Sequence, residues 1–128
     1  AILLKTLDGA GPYTTREGAS GPYLINFFAS WCGPCAIEHP TLMALKQQGV
    51  RVVGVAYRDK PDASNAFIAR LGDPFALKLS DPEGRAGIEY GITGVPETYL
   101  VGSDGVIIDK VSAPMTVEDA QKLLRKAR

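Results

Sequence analysis

The 128-residue chain has little of what most often carries chemistry: two cysteines, one histidine and one tryptophan. So few cysteines exclude a disulfide-dense miniprotein, and 45% hydrophobic residues suffice to bury the core of one ordinary domain. Net charge is also missing. Fourteen basic residues balance fourteen acidic ones with no run of either sign, so no field gathers nucleic acid or anionic lipid. No stretch approaches the roughly 20 apolar residues of a membrane span, and no leader is recognisable. Because the chain opens at Ala1 rather than at a methionine, a processed or trimmed form is expected, lacking its targeting or anchoring segment. Internal repeats and low-complexity tracts are absent.

The scarce residues are concentrated. Residues 30–40, SWCGPCAIEHP, hold both cysteines, the only histidine and the only tryptophan. A strand is expected just before them, over 23–28 (YLINFF), and a helix over 34–48 with Ala36, Ile37, Pro40, Met43 and Ala44 on its apolar side. Residues 51–57 are apolar on both faces, as a central parallel strand requires. A helix over 62–71, a strand over 75–79 and a helical piece over 83–90 follow, each helix stopped by a glycine. Strands over 98–102 and 106–111 are joined through Ser103, Asp104 and Gly105. Thr116 and Asp119 then form a capping-box pattern before a helix with a basic end. Residues 1–22 are weakly patterned and are read as an edge arm to a single domain over 1–128.

This order predicts a three-layer α/β fold, a mixed β-sheet flanked by helices. The cysteines fall after the first core strand, where sites collect in such sheets. Cys32 at a helix entrance meets unpaired N–H groups and the positive end of the helix dipole, which favour the thiolate, the attacking species. Cys32 is the candidate nucleophile, and Cys35, three residues on, is close enough to close a disulfide as the resolving thiol. Gly33 leaves the backbone bare for a partner disulfide, and Pro34 supplies helical φ where no acceptor is needed. Two plainer readings compete. A structural staple across three residues removes little unfolded-state entropy, and zinc, which takes four ligands, would find two cysteines, His39 and then only carboxylates. No metal site is expected. Trp31 fits packing or shielding of the sulfurs, and His39 before Pro40 fits packing or capping.

The motif W-C-G-P-C at a helix start, Pro40 inside that helix, and Val95-Pro96 before a hairpin resemble the thioredoxin superfamily over residues 23–111. More narrowly, residues 31–40, 52–59, 71–77 and 90–101 look like the membrane-tethered thiol:disulfide interchange proteins of cytochrome c maturation. The resemblance implies a thioredoxin-like fold with a central insert at about 60–90. It also implies a cis proline at Pro96 beside the dithiol, with the Val95 backbone pairing to an extended substrate. Asn26 stands where thioredoxins carry a buried aspartate that deprotonates the resolving thiol, and Asn cannot accept that proton. Glu38 and Glu97 match acidic residues of the maturation family and are the proton-relay and substrate-recognition candidates, although the bare sequence favours solvated surface charges. Tyr57, Arg58 and Asp59, at the end of the middle strand, either line the substrate groove or merely cap a strand with charge.

The function implied is an extracytoplasmic dithiol reductase that frees the cysteine pair of apocytochrome c for haem attachment, with no cofactor beyond the Cys32–Cys35 dithiol. The implied setting is periplasmic, tethered by a segment outside this chain, with a membrane thiol-disulfide transporter as electron donor and the protein a monomer. The Gly-Pro spacer departs from the maturation family toward general thioredoxin. A general disulfide reductase therefore remains open, as does a non-catalytic binding module using the Pro96 groove.

Overall fold

A computed structural model describes residues 2–127. Strand β1 (Tyr23–Phe28) is buried along its whole length and forms the middle of a five-stranded sheet ordered β3-β2-β1-β4-β5. Strand β2 (Val52–Tyr57) and strand β3 (Leu77–Asp81) run parallel to it, β4 (Glu97–Val101) runs antiparallel to it, and β5 (Ile107–Val111) pairs antiparallel with β4. Alternation along β1 divides the interior. Leu24, Asn26 and Phe28 face one layer, and Tyr23, Ile25 and Phe27 face the other.

The first layer holds helix α1 (Gly33–Gln47), helix α2 (Pro61–Leu71) and helix α4 (Val117–Leu124), whose Leu42, Leu45, Phe67, Ile68, Ala120 and Leu123 share a core with both cysteines. The second holds helix α3 (Arg85–Tyr90) and the N-terminal arm. The expected mixed sheet between helices is thus present, as is the capping box, with Thr116 and Asp119 bonded reciprocally.

Three local expectations change. The buried face of α1 is Cys35, Glu38, His39, Leu42 and Leu45, not the apolar stripe, and Ile37 is 78% exposed. Polar residues turn inward because specific partners await them, as described below. Strand β3 begins at Leu77 rather than at 75. Phe75 lies over Gly54, where any Cβ would come within 2.8 Å of its ring, and it stacks on Phe28 with centroids 4.9 Å apart. Helix α3 begins at Arg85, because Asp81 accepts the Ala86 and Gly87 N–H groups and Gly84 precedes the helix at φ 74°. The weakly patterned arm buries Leu4 and Leu7 and pairs along β3, through Leu7 N–H to the Lys78 carbonyl and Ser80 N–H to the Lys5 carbonyl.

Candidate active site

Strand β1 delivers the chain to a turn closed by Cys32 N–H on the Ala29 carbonyl, and α1 starts immediately afterwards. Cys32 is the residue that caps this helix. Its backbone is extended, and its Sγ accepts the Cys35 N–H at 3.2 Å. A sulfur in this position faces the unpaired N–H groups of the first turn, which stabilise negative charge on it. Cys35 is bridged to Cys32 with Cα atoms 5.3 Å apart, lies three residues on inside the helix, and is buried with it in the core. Gly33 and Pro34 are exposed, and a Cβ at Gly33 would meet nothing within 4 Å. The approach to the sulfurs from that side is open.

The Val95–Pro96 peptide is cis, and the Val95 carbonyl oxygen lies 3.5 Å from Cys32 Sγ. Backbone groups of residues 35 and 95, far apart in sequence, therefore flank one sulfur. Trp31 is 59% exposed, yet its Nε1–H donates to the Arg58 carbonyl at 3.1 Å. The indole is held at the surface beside the dithiol rather than packed in the core.

Asn26 and Glu38 are both buried, bonded to each other in the layer that holds the two cysteines. Asn26 Nδ2 donates to Glu38 Oε1 at 2.9 Å and to Thr98 Oγ1 at 3.0 Å, and Met115 N–H donates to Glu38 Oε2 at 2.8 Å. Burial pushes the Glu38 carboxyl above its ordinary range, and the Met115 and Asn26 hydrogen bonds only partly oppose it. A carboxyl one helical turn from Cys35, held where its neutral form is favoured, is suited to exchanging a proton.

Glu97 is on the other face of the sheet. It is opposite Phe27 in the β1–β4 register, whereas Asn26 is opposite Thr98. Its Oε2 accepts the N–H and the hydroxyl of Thr93, each at 2.9 Å, and Oε1 accepts the Tyr99 hydroxyl at 3.3 Å and lies 3.5 Å from Lys110 Nζ. Burial works against the charge, but the Thr93 bonds together with Lys110 and Tyr99 outweigh it and hold Glu97 below the usual carboxylate range. The same site pushes Tyr99 up to about 12, first through burial and then through the adjacent carboxylate. Glu97 ties down the loop that carries Val95 and Pro96. Neither acid is the solvated surface charge that the bare sequence favours, since each is only 2% exposed.

Tyr57 is not brought to the sulfurs. Its ring belongs to the opposite layer and packs under α3, so close that a Cβ at Gly87 would be 2.4 Å from Cε1. Odd and even residues of β2 face opposite layers, which fixes this outcome. Arg58 and Asp59 do reach the site, Arg58 through its carbonyl and Asp59 through Ser30. His39 donates from Nε2 to the Gly72 carbonyl at 2.7 Å and is edge-on to Phe67. Among the described residues, no three His, Cys, Asp or Glu side chains gather as a metal site would need. Thr93, Thr98 and Lys110 were not singled out in the sequence, where isolated polar residues give no periodic signal.

A family model described as Redoxin matches residues 3–124. The chain belongs to the redoxin family. This redoxin is 39% identical over 117 residues to the thiol:disulfide interchange protein HelX of Rhodobacter capsulatus, covering 91% of this chain and 66% of that protein. It is 38% identical over 106 residues to the thiol:disulfide interchange protein DsbE of Escherichia coli, covering 81% of this chain and 57% of that one. The redoxin thus spans between half and two thirds of the length of these relatives. Its fold matches that of a secreted Mycobacterium tuberculosis disulfide oxidoreductase homologous to E. coli DsbE, with a TM-score of 0.80 at 24% identity, over 98% of this chain and 93% of that one. The fold is thioredoxin-like. No helix among the described residues is long and apolar enough to cross a membrane.

Proposed function

We propose that this redoxin is a thiol:disulfide oxidoreductase that acts outside the cytoplasm as a reductant of protein disulfides. The observation that carries the reading is Cys32 Sγ at the helix entrance, accepting the Cys35 N–H, with the Val95 carbonyl on its other side. In the reduced protein the Cys32 thiolate attacks one sulfur of a target disulfide. The target S–S bond breaks, its other sulfur leaves as a thiolate that takes up a proton, and Cys32 is joined to the target. Cys35 then loses its proton, attacks Cys32 Sγ and releases the second target thiol. One target disulfide becomes a dithiol and one protein dithiol becomes a disulfide, so the exchange balances without a cofactor.

Glu38 is the group that takes the Cys35 proton, with Asn26 orienting its carboxyl. Val95 offers its backbone to an extended substrate, Pro96 shapes that edge, and Glu97 anchors the loop. Trp31, Gly33 and Pro34 form the exposed surface around the nucleophile.

The target is the cysteine pair of apocytochrome c before haem attachment. The sequence motifs and the likeness to HelX and DsbE support that choice. The setting that follows is periplasmic, with a tether outside this chain and a membrane thiol-disulfide transporter restoring the dithiol. A general disulfide reductase is the second reading, favoured by the Gly33-Pro34 spacer. Mixed-disulfide trapping separates the two. Cys35→Ser, once reduced, is offered an oxidised Cys-x-x-Cys-His peptide together with oxidised insulin. Selective capture of the peptide through Cys32 is expected, equal capture would favour the generalist, and no capture of either would overturn the catalytic reading.

A further inference from the structure

The Ser30–Trp31 segment just before Cys32 is held by residues that the exchange chemistry does not use. Ser30 follows Ala29 in the turn closed by Cys32 N–H, so its own N–H points away from that turn and needs an acceptor. Asp59, at the exit of β2 and only 8% exposed, supplies it. Its Oδ2 accepts Ser30 N–H at 2.8 Å and the Ser64 hydroxyl at 2.7 Å, and its Oδ1 accepts the Ser30 hydroxyl at 2.9 Å. Ser64 is fully buried in α2, so one carboxylate ties the dithiol turn, the end of β2 and α2 together. Beside it, Arg58 is the one non-glycine described residue with positive φ, at 46°. Its carbonyl accepts the Trp31 indole N–H, and its guanidinium lies 5.5 Å from the centre of the Tyr57 ring. A left-handed non-glycine residue bonded to the side chain that precedes the nucleophile points to a conformation retained for a purpose.

We propose that Asp59 is a positioning residue of the dithiol. Through Ser30, and with the Arg58 carbonyl, it fixes Trp31 as a pre-set exposed face at the side of Cys32, against which a disulfide substrate docks. An aromatic surface that is already rigid loses little freedom when a partner binds. This inference rests on the dithiol reading above, which it deepens. The clamp acts by hydrogen-bond geometry rather than charge. Asn at 59 keeps all three bonds, with Oδ1 accepting Ser30 N–H and the Ser64 hydroxyl while Nδ2 donates to the Ser30 oxygen.

The test uses Asp59→Asn and Asp59→Ala, with circular dichroism establishing that each is folded. Trp31 is the only tryptophan, so fluorescence anisotropy reads its freedom directly, independently of global stability. Asp59→Ala is expected to lower the anisotropy and to slow reduction of the oxidised Cys-x-x-Cys-His peptide by about tenfold, the scale of a modest misplacement of reacting groups. Asp59→Asn is expected to match wild type in both. If Asp59→Ala does not fold, Ser30→Ala, which removes only the hydroxyl bond, should show the same two changes at reduced size. Wild-type anisotropy and rate in the folded variant that breaks the clamp would overturn the proposal, as would an Asn variant as impaired as the Ala one. A wild-type protein that reduces no disulfide would instead sink the dithiol reading, while the anisotropy comparison would still decide whether Asp59 positions Trp31.

Discussion

Replacing Glu97 with alanine should release the loop carrying Val95 and Pro96. The carboxylate accepts two hydrogen bonds from Thr93, and bonds to a charged group contribute about 1.5–3 kcal/mol each. Thr93 is exposed, so the lower end applies and the pair contributes about 3 kcal/mol. Lys110 adds little. Its side chain is 41% exposed and 3.5 Å away, which limits the pair to about 0.5 kcal/mol. Tyr99 keeps its bond to the Tyr90 carbonyl at 3.0 Å and loses little. Glu97→Ala should therefore cost about 3 kcal/mol, or a urea midpoint lower by about 2 M at a slope of about 1.5 kcal/mol/M. Glu97→Gln, which can still accept from Thr93, should cost about 1 kcal/mol. Because the folded protein holds Glu97 below its ordinary 4.5, the charge stabilises fully above that pH. That contribution fades as pH falls through the lowered value, so the gap between wild type and Glu97→Gln should close in acid. A Glu97→Ala midpoint within about 0.5 M of wild type, or additive effects of Glu97→Ala and Thr93→Ala, would refute the anchoring role.

Glu38 has the opposite sign. Its folded pKa lies above 4.5, so the unfolded chain gives up the proton first, and stability declines as pH rises from 4.5 through the raised value. Glu38→Gln should remove that decline in urea titrations between pH 4 and 8, and an unchanged slope would contradict the assignment. Gly87→Ala should lower the thermal midpoint, because the new Cβ meets Tyr57 Cε1 at 2.4 Å and an overpacking cost of about 1–3 kcal/mol exceeds the helix-propensity gain of about 1 kcal/mol. A raised midpoint would show that Tyr57 is free to move. Thr116→Ala, which loses the hydroxyl that caps α4, should cost about 1 kcal/mol in denaturant, and no loss would mean that the capping box contributes nothing.

The reading of the sequence succeeded where the signal was local. Glycines and a proline bounded β1, α1 and β2 to within a residue or two, and the capping box was visible in Thr116 and Asp119. It failed where a distant partner decides. Hydropathy put Ile37 inward, but Glu38 and His39 took the interior because Asn26, Met115 and Gly72 supply their hydrogen bonds. Phe75 looked like a strand residue until Gly54, on β2, made room for its ring. The two cysteines were legible as a pair from spacing alone. The Asp59 clamp was not, since Ser30, Asp59 and Ser64 lie on separate elements and none interrupts a pattern. Tyr57 shows a further limit, because proximity to the site along a strand does not say which face a side chain takes.

The proposed function requires an unequal pair of thiols, with Cys32 the thiolate at the helix entrance and Cys35 the protected partner. The most direct measurement is alkylation of the fully reduced wild-type protein with iodoacetamide across pH 4–9, with each cysteine followed by mass spectrometry. Cys32 is expected to be labelled first, with an apparent pKa below the ordinary thiol value of about 8.5, while Cys35 reacts only when the protein unfolds. Equal labelling of the two, or Cys35 labelled first, would contradict it.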